Sequence, residues 1–102
     1  MRALLLIAVL FASAAAAQLR TIPVDAKRAE IRHVTENIVE LNGQREQLSP
    51  GAQIRDESNR ILVPSAVPAG AVVKYARDGV GVVHRVWILS PQEVEAEDQR
   101  AR

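Results

Sequence analysis

AVVKYARDGVGVVHRVWIL, residues 71 to 89, decides the fold. Outside the first seventeen residues it is the densest concentration of β-branched side chains and holds both aromatic ones, Tyr75 and Trp87, in two runs separated by Asp78-Gly79-Val80-Gly81. A Gly-containing break between such runs predicts an antiparallel hairpin. If Asp78-Gly79 is a two-residue turn, Tyr75 lies opposite Val82; if Asp78 to Gly81 is the loop, Tyr75 lies opposite His84. Both registers give the same faces, because only an odd slip exchanges inside for outside. Ala71, Val73, Tyr75, Val82, His84, Val86 and Ile88 share the apolar face, the better core. Val72, Lys74, Ala76, Val83, Arg85, Trp87 and Leu89 share the other, where two cations interrupt the apolar residues.

Working outward, residues 27 to 41, KRAEIRHVTENIVEL, are ambiguous. Ile31, Val34, Ile38 and Leu41 recur at helical spacing, with Asp25 as a candidate N-cap and Asn42-Gly43 as a stop, so an α+β fold with a helix over 26–41 is the alternative. Ile38 to Leu41, Asn42-Gly43 and Gln44 to Leu48 equally spell a second hairpin with a type I′ tip. The strand reading is preferred: Ala29 to Val34 and Ile38 to Leu41. Ser49-Pro50-Gly51 predicts a type II turn, followed by a short strand from Ala52 to Arg55. After the polar loop Asp56 to Asn59, a strand from Arg60 to Val63 ends at Pro64. Ser90-Pro91-Gln92-Glu93 is a capping box that starts a short helix, and its polar continuation is expected to fray. The fold class is therefore mainly β, a small single-domain antiparallel β-barrel, OB-like or SH3-like, with a short C-terminal helix.

The chain opens Met1-Arg2 and runs apolar from Ala3 to Ala17, ending in small residues. This predicts a secretory signal peptide cleaved after Ala17. Fifteen apolar residues fall short of the roughly 20 that a spanning helix needs. An uncleaved anchor is the rival. The expected organisation is a signal peptide over 1–17, a loose lead-in over 18–26, a barrel over 27–90, and a helix with a polar tail over 91–102. Seventeen residues removed from 102 leave 85, formally neutral, so charge offers no argument for nucleic acid as partner. The absence of cysteine excludes disulfides, and in an exported protein stability then rests on packing alone. The expected location is periplasmic or secreted, with no integral membrane span after processing.

Two segments, LNGQREQLSPGAQIRD (Leu41 to Asp56) and VVHRVWILSPQE (Val82 to Glu93), resemble those of small uncharacterised exported proteins of Gram-negative bacteria, and the strand order is similar to small OB-like β-barrels. The resemblance implies fold and compartment, and no functional residues.

No catalytic constellation is spelled out. His33 with Glu30 or Glu36 lacks the spacing of a metal site and reads as solvated, and His84 reads as a buried imidazole bonded to backbone or to Tyr75. Ser49, Ser58, Ser65 and Ser90 sit beside turn residues, outside any nucleophile elbow. Gly79 and Gly81 join strand to strand, with no helix N-terminus to hold a phosphate. Neither enzyme activity nor a cofactor is expected. What is left is Trp87 with Lys74 and Arg85, an aromatic among cations, the composition of recognition surfaces. The competing role for Trp87 is core filler. The expected function is a binding or interaction module for an unidentified protein or small ligand. The alternative is an envelope-associated structural protein that pairs through an edge strand.

Overall fold

A computed structural model describes residues 20–100, so the expected leader and its cleavage point lie outside the described residues. The elements are β1 (Lys27–Thr35), β2 (Ile38–Leu41), β3 (Gln44–Arg55), β4 (Ile61–Leu62), a 3-10 turn (Pro64–Ala66), β5 (Ala71–Arg77), β6 (Val83–Ile88) and α1 (Pro91–Arg100). Residues 27–41 are thus two strands, joined by a tight turn in which Glu36 takes a φ of 46°. Helical spacing in this stretch comes from β1 and β2 each alternating on its own period of two. The Asn42-Gly43 tip is left-handed at both residues, φ 54° and 81°, as the type I′ turn requires. Asn42 also ties the tip to β1: its Oδ1 accepts from Glu30 N–H and its own N–H donates to the Glu30 carbonyl.

The strands form one six-stranded sheet in the order β2-β1-β5-β6-β3-β4, and β2 pairs with β3 as well. Five of the pairings are antiparallel; β3 and β6 run parallel, which departs from the expected all-antiparallel arrangement. β1 and β3 are long because β1 serves two partners and β3 three. β1 pairs with β5 through its first half and with β2 through its second. β3 pairs with β2 over 44–47, then with β6 at Leu48 and again from Gln53 to Arg55. The expected turn at Ser49-Pro50-Gly51 is replaced by continuous strand in which Gly51 does not take a positive φ. Pro50 has no N–H to offer a ladder, and it falls in the gap between Leu48 and Gln53 that interrupts the pairing of β3 with β6.

The core is the side of the sheet carrying Ile31, Val39, Leu48, Ile54, Val73, Val83, Val86 and Ile88, none more than 3% exposed. Each such burial contributes roughly 1.5–3 kcal/mol. The central hairpin reaches this arrangement by a route not expected. Three residues, Gly79 to Gly81, make the loop, with Asp78 and Val82 facing each other across it and φ 91° at Gly81. That loop alone would reverse the parity and bring Arg85 inside. A bulge repairs it: Arg77 pairs with Val83 but Ala76 pairs with Arg85, leaving His84 as the extra residue. Tyr75 consequently lies opposite Val86, not Val82 or His84. Beyond the bulge the faces are as expected. Inside it they are exchanged, so Val83 is fully buried in the core.

Arg20 anchors the otherwise largely exposed lead-in, in which Val24 is 97% exposed. The Arg20 side chain is 4% exposed, and its guanidinium donates to the carbonyls of Asp56 and Ile88 and to both carboxylate oxygens of Glu93. Glu93 N–H donates to Ser90 Oγ and Ser90 N–H to Glu93 Oε1, completing the capping box. The helix runs ten residues, Pro91–Arg100.

Candidate functional site

Trp87 lies outside the core cluster. Its chain neighbours Val86 and Ile88 are buried, so strand alternation turns Trp87 to the opposite face, where it is half-buried. Registers on both sides define what stands beside it. Lys74 of β5 is opposite Trp87, Arg28 of β1 is opposite Lys74, and on the other flank Arg55 of β3 and Ile61 of β4 extend the row. One step along the strands, Arg85 sits between Ala76 and Gln53. Lys74, Arg85 and Trp87 are therefore on one face, as the hairpin parity requires.

Arg28 and Arg55 are the members sequence reasoning missed. The alternation in Gln53-Ile54-Arg55 signals their facing, but only the parallel β3–β6 pairing, which no short-range pattern announces, brings Arg55 to Trp87.

None of the cations is free of partners. Arg85 donates to the carbonyls of Gly51 and His84, at 3.3 and 2.9 Å. Arg55 donates to the Asn59 carbonyl and Gln53 Oε1, at 2.9 and 3.2 Å. Lys74 is paired with Glu97 of α1, and Arg28 reaches Asp98 at 2.6 Å and Glu97 at 3.6 Å. Beside Lys74 an open cleft of about 740 Å³ runs between the lead-in (Ile22, Pro23 and Val24) and α1, with Leu89 in its lining.

Both histidines are spent on structure. His33 Nε2 is 2.9 Å from the Glu36 carbonyl in the β1–β2 turn. His84 Nδ1 is 2.8 Å from Ser49 Oγ, a side-chain partner in place of the expected backbone or Tyr75. This contact joins the bulge of β6 to the partner-changing stretch of β3. The serine is only 9% exposed, and the nearby Asp78 carboxylate is occupied by the N–H groups of Val80 and Val82. The pair is a strut. Tyr75 faces the core side, with Arg77 5.5 Å over its ring and Glu46 holding the Arg77 guanidinium through both oxygens.

Among the described residues no three His, Asp or Glu side chains group to hold a metal ion, and no helix is long and apolar enough to cross a membrane. No family model, curated protein or solved structure matches the chain.

Proposed function

We propose that the chain is an exported binding module without catalytic chemistry, which takes a partner on the face of Trp87, Arg85 and Lys74. The observation that carries this reading is the position of Trp87. The chain's only tryptophan is left out of the core and flanked by basic residues on both neighbouring strands. A large aromatic that contributes little to the core and stands half-open among cations suits recognition.

The scaffold in this reading is a small OB-like barrel. Its support is the run of pairings β1–β2, β2–β3, β3–β6, β6–β5 and β5–β1, which returns to its starting strand with a single parallel step. The leader over residues 1–17 supports export to the periplasm or beyond, and intact mass of the exported protein tests cleavage after Ala17.

Native mass spectrometry of the purified protein tests whether a ligand travels with it. Trp87→Ala and Arg85→Gln should weaken binding of that ligand at least tenfold while costing about 1 kcal/mol or less in stability. Iodide should quench Trp87 emission. A sealed, unquenched Trp87, or a truncation cost of roughly 3–5 kcal/mol, would mean core burial and no surface.

A further inference from the structure

The helix α1 is fastened in two different ways. Its first turn is anchored by the buried Arg20 guanidinium on Glu93 and by the reciprocal capping bonds with Ser90. Beyond it no described side chain is buried, and Asp98 is 50% exposed. Charge holds these later turns: Glu97 to Lys74, and Glu97 and Asp98 to Arg28. The Arg28–Asp98 pair, 37% and 50% exposed, is worth little and is screened by salt, and in the more sheltered Lys74–Glu97 pair, 15% and 19% exposed, lost hydration offsets much of the attraction. Glu97 Oε1 is moreover shut away from solvent with no hydrogen-bond partner, a cost that release of the helix removes.

Four of the chain's twelve acidic residues, Glu93, Glu95, Glu97 and Asp98, are concentrated in this helix. Two of them, Glu97 and Asp98, reach the cationic end of the row that contains Trp87, while Glu93 is held by Arg20. We infer that residues 94–100 form a displaceable acidic lid over Lys74 and Arg28, and that the partner of this surface is an acidic polypeptide segment which takes the lid's place. The inference rests on the binding role of Trp87. A competitor for these cations must offer what already satisfies them, carboxylates on a peptide backbone. Single-stranded nucleic acid is served by successive aromatic platforms, and this face has one aromatic, since Tyr75 is turned to the core side.

The test uses the whole mature chain. Amide exchange of residues 94–100 should accelerate at least tenfold between 50 mM and 1 M NaCl while the amides of Val73 and Val86 stay protected; equal protection in both salts would overturn the lid. A fluorescein-labelled oligoglutamate of about twelve residues should bind Glu97→Gln/Asp98→Asn roughly tenfold more tightly than the parent, in the range usual for coupled sites. The equally charged control Glu57→Gln/Glu95→Gln should not show that gain. If it does, net charge and not the lid is responsible, and the lid is overturned. Trp87→Ala in the opened background should abolish oligoglutamate binding; if binding persists, the Trp87 reading itself fails, whatever the lid does. Tighter binding of oligothymidylate than of oligoglutamate would overturn the partner's class.

Discussion

Arg20 satisfies two carbonyls and one carboxylate at the junction of β3, β6 and α1. A side chain so placed cannot be removed without stranding what it holds. Arg20→Ala should cost about 3 kcal/mol, read from urea unfolding, and Arg20→Lys should recover only part, since an ammonium cannot span the three acceptors in the same plane. Against the desolvation that raises it, the hydrogen bonds from Arg20 and Ser90 N–H hold the Glu93 carboxyl below its ordinary value.

Asp56 and Asp78 are held low as well, chiefly by the N–H of Arg60 and of Val82 respectively, with burial opposing. Carboxyls whose folded values are depressed add stability above their unfolded values and lose it as pH falls through the folded ones. The thermal midpoint should therefore hold at neutral pH and drop below about pH 4. In Asp78→Asn, which keeps an acceptor oxygen but no titration, the acid loss should be smaller. Asp78→Ala should lower the midpoint at neutral pH too; an unchanged midpoint would mean the loop needs no acceptor.

Those two aspartates expose a pattern at the scale of elements. Asp56-Glu57-Ser58-Asn59-Arg60 and Asp78-Gly79-Val80-Gly81-Val82 are the same loop: the first carboxylate accepts from the third and fifth N–H groups, and the fourth residue is left-handed, φ 66° at Asn59 and 91° at Gly81. The Gly-containing hairpin was legible in the sequence, and so were the Asn-Gly tip and the capping box, because each is a local signal. The matched Asp loops carry a sequence signal as well, an Asp four residues before the residue whose N–H it accepts.

The bulge was not legible, since it answers a parity conflict between a three-residue loop and the apolar pattern of β6. It yields a sharp expectation. Deleting His84 removes the extra residue and leaves every other pair in register, so that variant should still unfold cooperatively, weakened by the lost Ser49 bond. Deleting Trp87 moves Ile88 to the wrong face and should abolish cooperative unfolding. If the His84 deletion fails to fold, the bulge is required for strand twist and not for register alone.

Across the whole molecule, the candidate surface depends on strands far apart in sequence, which explains why only the members on one hairpin were foreseen. Lys74, Arg85 and Trp87 belong to one hairpin and follow from its parity. Arg55 and Arg28 arrive through β3 and β1, long strands whose change of partner leaves no trace in composition. The same dependence makes the core indivisible. Val86, fully buried between Tyr75 of β5 and Ile54 of β3, should not tolerate Asp: an unpartnered carboxylate there costs several kcal/mol, and circular dichroism should report an unfolded chain. Ile61→Asp, at a position 58% exposed on β4, should leave the spectrum unchanged.

The reach of Arg20 has a consequence for how the chain is made. Its acceptors on Ile88 and Glu93 lie 68 and 73 residues downstream. A polypeptide emerging N-terminus first holds that guanidinium idle until Glu93 has been synthesised, and the first half of β1 unpaired until β5 follows. The β1–β2–β3 meander can therefore pair early from segments close in sequence, whereas the sheet as a whole closes only after residues 71–93 have emerged.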